Sequence, residues 1–277
     1  MDDHIEVASG GDSSDAETIR LAAYWARPAA TRRVPGIVLS HGFPQPPRGR
    51  IASGLTFPGL ADRIAKEVGW QVLTFNFRGT GGSGGDFSIS GWMADLRAAI
   101  DEMAARPEVS EVWLIGAGLG GSLSICCAAE DKRVRGVATL AAHSNFIDWL
   151  RDPARFLAHA RRMGVFRNAD APSDTASWTR EIKEFAPISA AAKLAGRPFL
   201  VLHGSDDTVV APGDAIELAE AHGSADIRFV FHAGHRLRHD PRAVATLLGW
   251  LDRQGGPLVA PAPIEPSELV TEQQTFL

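Results

Sequence analysis

Five short stretches carry the residues with which this chain could do chemistry: SHGF (Ser40–Phe43), NFRGTGGSGG (Asn76–Gly85), GAGLGG (Gly116–Gly121), HGSDDTVV (His203–Val210) and AGH (Ala233–His235). Each follows an apolar run, so each is expected at the end of a strand, where open α/β sheets build their sites. Asp206, Asp207 and His235 are the titratable candidates, with His232 and His239 weaker ones. A carboxylate that accepts from one imidazole nitrogen fixes the tautomer and leaves the other nitrogen free as a base. The hydroxyls nearest to GAGLGG are Ser122 and Ser124. Both fall inside the helix that follows and read as small residues packed under the sheet. The run GTGGSGG has the glycine content of a phosphate loop, but no lysine follows at P-loop spacing.

The elements that must position these residues alternate between apolar strands and amphipathic helices, the pattern of a mostly parallel sheet covered on both faces. HIEVAS and TIRLAAYW read as an edge hairpin joined by the turn GGDSSDAE. GIVLSHGF, WQVLTFNF, EVWLIGAG, VRGVATLAA, RPFLVLHG and ADIRFVFHAG read as further strands. FPGLADRIAKEVG, SGWMADLRAAIDEMAARP, LGGSLSICCAAE, PGDAIELAEAHG and PRAVATLLGWLDRQ read as helices; in the second, Trp92, Leu96, Ile100 and Met103 recur at helical spacing. Residues 143–196 break the rhythm and predict two or three short helices, DPARFLAHARRMG and DTASWTREIKEF the clearest. One α/β domain over residues 1–254 is expected, with 143–196 as an inserted lid and 255–277, rich in proline and polar residues, as a flexible tail.

Bulk properties narrow the function classes. Of the 277 residues 45% are hydrophobic and 22% charged, which supports a large core. The net charge of -5 argues against nucleic-acid binding, because phosphate contacts need a basic surface. No apolar run approaches the length of a membrane span, and the start lacks the regions of a secretory signal, so a cytoplasmic location without membrane contact is expected. The only cysteines, Cys126 and Cys127, are adjacent on a helix and read as small core residues. Arg151, Arg155, Arg161 and Arg162 read as solvated lid surface. No metal or cofactor is implied.

Taken in order and spacing, the five stretches resemble the α/β-hydrolase superfamily across roughly residues 3–254. That resemblance implies an α/β-hydrolase fold, with GAGLGG as the nucleophile elbow, Asp207 as the acid and His235 as the base. The family's elbow reads G-x-S-x-G, and here Gly118 stands in the serine's place between Gly116 and Gly120. A glycine cannot attack a carbonyl, so covalent acyl transfer at this position is excluded. The resemblance also implies an oxyanion hole from the backbone N–H groups of Phe43 and Leu119, which a serine-to-glycine change leaves in place. Trp149, Phe156, Trp178 and Phe185 are candidate pocket lining, with packing of the lid onto the body as the alternative.

Three functions are therefore open. The first is a non-hydrolytic pseudoenzyme that binds a small apolar compound with a carbonyl or anionic group, or that serves as a scaffold for a protein partner. The second is a nucleophile-free enzyme of lyase, cyclase or isomerase type using Asp207–His235 as general base. The third is a serine hydrolase of esterase type seen as a serine-to-glycine mutant.

Overall fold

The computed structural model describes residues 3–8, 18–29, 32–46, 49–52, 54–168 and 170–255. The turn between the first two strands and the tail beyond Gly255 lie outside the described residues. Eight strands form one sheet: β1 (Asp3–Ala8), β2 (Thr18–Ala26), β3 (Val34–Ser40), β4 (Gln71–Phe75), β5 (Val109–Ala117), β6 (Val134–Leu140), β7 (Phe199–Gly204) and β8 (Asp226–Val230). Their order across the sheet is β1-β2-β4-β3-β5-β6-β7-β8. β1 and β2 pair antiparallel, as do β2 and β4, and every pairing from β4 to β8 is parallel.

The helices are α1 (Phe57–Glu67), α2 (Ile89–Ala104), α3 (Leu119–Glu130), α4 (Ile147–Arg151), α5 (Pro153–Met163), α6 (Thr175–Glu184), α7 (Pro187–Lys193), α8 (Pro212–His222) and α9 (Pro241–Gln254). The period-2 alternation of the central strands decides which helices cover which face. Ile37, Leu39, Val72 and Ile115 turn to one side and pack with Leu60 and Ile64 of α1 and Leu247 and Leu251 of α9. Val38, Leu73, Leu114 and Val137 turn to the other, against Leu96 and Ile100 of α2 and Leu123 of α3. The sheet is thus buried on both faces, as parallel sheets require.

Residues 143–196, expected to hold two or three helices, hold four, α4 to α7. Cys126 and Cys127 are free and buried, and burial raises both thiols, Cys127 to about 12. The irregular segment between β4 and α2 is organised by polar anchors. The loop after β4 is tied down by Arg78, which donates from Nε and Nη2 to Oδ1 of Asp95 on α2 at 2.9 and 2.7 Å and from its backbone N–H to Oδ2 at 2.8 Å. The glycine run's Ser83 donates to the Asn76 carbonyl and accepts from the Ala22 N–H, so its polar groups serve the fold. Among the described residues no helix is long and apolar enough to cross a membrane.

Candidate functional site

The turn between β5 and α3 is tightly packed at the sheet's carboxyl edge. A Cβ on Gly116 would sit 2.3 Å from the Gly120 carbonyl oxygen, and one on Gly120 would sit 2.3 Å from that of His41. Neither position can carry a side chain without moving backbone. Gly118, at the tip, has φ 51° and ψ -124°, and its N–H donates to the Leu140 carbonyl at 2.9 Å. A Cβ here would meet ordinary contacts only: Nε2 of His235 at 3.5 Å, its Cε1 at 3.6 Å and Cα of Gly42 at 3.7 Å. The tip therefore has room for a side chain, though at a backbone conformation that an L-residue adopts only under strain.

His235 lies on the loop after β8 and Asp207 on the loop after β7. The structure brings them together: His235 Nδ1 donates to Asp207 Oδ2 at 2.9 Å. The other oxygen, Oδ1, accepts from the N–H groups of Val209 and Val210 at 2.8 and 2.9 Å. Nε2, the other ring nitrogen, lies on the side of Gly118, 3.5 Å from where a Cβ at that position would sit. Asp207 is buried, which by itself raises its carboxyl; bonds from His203, His235 and the Val210 N–H outweigh that and hold it well below the usual carboxylate range. Asp206, the other acid considered, faces solvent and the exposed His232 at 3.6 Å.

Two further histidines border this pair. His203, fully buried on β7, has Nε2 3.1 Å from the Val210 carbonyl and 3.4 Å from Asp207 Oδ2. His143 follows β6, is half-buried, and is held neutral, down to about 4, by burial and then by the nearby charge of His235. His203 opens the HGSDDTVV stretch without a role of its own there, and His143 lies outside every motif; the clue for His143 was its position after an apolar strand, at the edge where sites form.

A cleft of about 290 Å³ opens over the tip, lined by Phe43, Gly118, His235, Arg236 and Arg238 among others. The backbone N–H groups of Phe43 and Leu119 have no hydrogen-bond acceptor among the described residues. Leu119 itself is buried in the core and does not line the cleft. Ser122 and Ser124 are fully buried and engaged: Ser122 Oγ donates to the His143 carbonyl at 2.8 Å, and Ser124 Oγ to that of Gly120 at 2.8 Å.

The lid aromatics lie elsewhere. Trp149 stacks on Phe156 at 3.9 Å, Phe156 on Trp178 at 5.4 Å, and Phe43 packs edge-on or tilted against Trp149 and Phe156. Trp149, Phe156 and Phe185 clamp the lid to the body and are not on the wall of the cleft; Trp178 borders a separate cavity of about 810 Å³ between the lid and the Gly82–Ser88 loop. Phe43 belongs to both this cluster and the cleft wall, while Phe57, which also lines the cleft, belongs to the core on the other face of the sheet. The lid arginines are surface groups: Arg151 pairs with Asp148 at 2.8 Å and Arg161 donates to the Ala171 carbonyl.

The buried histidines give the fold an acid limit. His41, 2% exposed, donates from Nδ1 to the Gly42 carbonyl at 2.8 Å and accepts at Nε2 from the Phe77 N–H at 3.1 Å. Burial, and to a lesser extent the Arg238 charge, lower it to about 4. The unfolded chain takes up this proton near the ordinary value of 6.5 and the folded chain does not, so stability is full above 6.5 and is lost as pH falls towards 4. The loss from His41 alone is expected to be of order 3 kcal/mol, with His143 acting in the same direction. Urea midpoints measured from pH 7 down to 4 should fall, and fall less steeply in His143→Gln; parallel curves would mean that His143 titrates alike in both states.

An open, mostly parallel sheet with an acid–histidine pair at the ends of β7 and β8, facing the β5–α3 turn, defines an α/β-hydrolase type of scaffold. A family model for the alpha/beta hydrolase fold matches residues 35–185, more than half of the chain, and the chain belongs to that family. The α/β hydrolase GrgF from Penicillium sp. sh18 is similar with a TM-score of 0.66 at 19% identity, over 92% of this chain and 99% of that one. A hydrolase of Agrobacterium vitis S4 (named there as putative) gives 0.66 at 22%, over 92% and 98%. Est1E from Butyrivibrio proteoclasticus gives 0.62 at 15%, over 91% and 96%. At these identities the likeness concerns the fold. No curated protein matches the sequence.

Proposed function

We propose that this chain binds a small carbonyl compound in the Gly118 cleft and that Asp207–His235 acts there as a general base, without a covalent intermediate. The observation that carries this reading is the 2.9 Å bond from His235 Nδ1 to Asp207, which leaves Nε2 bare at the edge of an open cleft. A scaffold alone needs no such space, and a cleft kept open beside an oriented base favours a ligand over a purely structural role. Gly118 occupies the nucleophile's position in this reading, so no acyl-enzyme can form. The free N–H of Phe43, on the cleft wall, receives the carbonyl oxygen, and the N–H of Leu119, next in the chain to Gly118 and with its side chain turned into the core, is the second donor. Nε2 takes a proton from the carbon next to the carbonyl, and the electron pair moves onto the oxygen as an enolate held by those donors. Return of the proton to either face regenerates the carbonyl compound. The ligand is a small molecule, and the site uses neither metal nor cofactor.

The test is exchange of α-protons of a simple ketone such as cyclohexanone in deuterated buffer, followed by proton NMR. The native chain should accelerate exchange, and His235→Ala should lower the rate by about 100-fold, the low end of what a positioned base supplies. Equal rates for the native chain and His235→Ala would end the general-base reading and leave binding alone. The observation favouring the serine-hydrolase alternative is the unobstructed space at Gly118, and its test is taken up in the Discussion.

A further inference from the structure

The cleft carries two positive charges and, among the described residues, no negative one. Arg236 and Arg238 lie one and three residues after His235 in the chain and both line it, with no Asp or Glu among the lining residues. This runs against the chain as a whole, whose net charge is -5. Elsewhere in the described structure arginines are commonly matched with carboxylates, as in Arg63–Glu67, Arg97–Glu130, Arg133–Asp131 and Arg242–Asp240. Arg236 and Arg238 have no carboxylate partner among the described residues. Among the described residues Arg236 donates once, from Nη2 to the Pro46 carbonyl at 3.2 Å, and Arg238 donates once, from Nε to Thr56 Oγ1 at 2.8 Å, and lies 5.3 Å from the centre of the Phe57 ring.

A guanidinium has five N–H donors, so most donors of both groups remain available. Arg238 is half-buried, and burial followed by the Arg236 charge holds it below its ordinary value. An unneutralised cation pair at the wall of a cleft costs free energy that a bound anion relieves, and arginine's planar fork matches a carboxylate in two-point contact. Phe43 and Phe57 add apolar wall to the same cleft. The volume of about 290 Å³ sits at the lower end of the range for small-molecule sites.

We infer that the ligand of this cleft is a small oxo-acid: its carbonyl lies at Gly118 and its carboxylate is held by Arg238 and Arg236. This rests on the carbonyl-binding reading above and adds the charge of the ligand to it. Arg238 is a binding residue here, and Arg236, the more exposed of the two, strengthens the field at the mouth.

The experiment uses the full chain and a homologous series of oxo-alkanoates beginning with levulinate, each paired with its methyl ester. Affinity is read by saturation-transfer NMR, and the His235 ring resonances are followed in the same titrations. The best acid should bind about 10-fold more tightly than its ester, as charge-assisted hydrogen bonds require, and Arg238→Ala should remove that preference. Arg238→Ala also loses the Thr56 bond and the contact with Phe57, so Arg236→Ala, at an exposed side chain, is the second variant; it should weaken the acid several-fold and leave the ester unchanged. Acid and ester binding alike, no binding by any member of the series, or affinities untouched by both substitutions would each overturn the inference. Acid binding that needs the arginines but leaves His235 unmoved supports the anion site and removes the carbonyl reading instead.

Discussion

Gly118→Ser should turn this chain into an esterase on small activated esters, at least about 100-fold above the native background, the lower range for a positioned acid–base pair. The expectation follows from the space around Gly118. A Cβ there meets nothing closer than 3.5 Å, and that nearest atom is Nε2 of His235, the atom that must take the hydroxyl proton. Nδ1 is already engaged by Asp207 at 2.9 Å, so the new hydroxyl meets a base in the required tautomer. The substitution has a cost, because φ at this position is 51° and serine enters that region only with strain of about 1–3 kcal/mol. The folded variant should therefore melt lower than the native chain while reacting faster. Fluorophosphonate labelling separates the two states: the native chain should stay unmodified, since Ser122 and Ser124 are buried and bonded, and the variant should take one adduct at position 118. The double variant Gly118→Ser/His235→Ala should lose the gained rate. A stable Gly118→Ser protein with neither adduct nor activity would show that more than one residue separates the site from hydrolysis, and the esterase-mutant alternative would fall.

How far the sequence could be read depended on how local the cause was. Gly116 and Gly120 were legible because a close backbone approach leaves glycine alone at both positions, and the structure gives the contacts, 2.3 Å in each case. The Asp207–His235 pair was legible through the family resemblance of HGSDDTVV and AGH, and the structure brings the two residues together on the loops after β7 and β8. The lid was less so. α4 and α7 have five and seven residues, too short for helical periodicity to register. Trp149 and Phe156 have the spacing of pocket residues and of core residues alike; only the stack at 3.9 Å assigns them to the lid's packing. Arg236 and Arg238 carry no motif of their own, and their place in a cleft without a carboxylate among its lining residues is a property of space and not of sequence. The loop after β4 belongs to the same class: nothing in the spacing of Arg78 and Asp95 announces that they meet.

That meeting is the basis for the largest expected effect on stability. Asp95 is fully buried and Arg78 is 5% exposed, and their two-point bond is supplemented by the Arg78 N–H. Burial pushes the Asp95 carboxyl above its ordinary value even against the pull of Arg78, so desolvation is the dominant influence on this carboxylate. Such a pair adds little net stability over a well-packed apolar pair, but removing one partner strands the other charge at a cost of about 3–5 kcal/mol. Against the total of about 5–15 kcal/mol typical of a domain, Asp95→Ala should leave the chain close to unfolding. Urea titration should show this directly, and Arg78→Met/Asp95→Leu should recover most of the loss because no charge is then stranded. The effect should also reach the cleft. The Arg78 carbonyl accepts from Trp92 Nε1 at 2.9 Å, Phe77 stacks on Trp92 at 4.3 Å, and the Phe77 N–H holds the ring of His41, which precedes Gly42 and Phe43 at the cleft wall. Asp95→Ala studied at low temperature, where it remains folded, should therefore bind carbonyl ligands more weakly than the doubly apolar variant does. A midpoint shifted by less than about 1 kcal/mol in Asp95→Ala would mean that water reaches Arg78 once the carboxylate is gone, and that the loop is held by its apolar contacts instead.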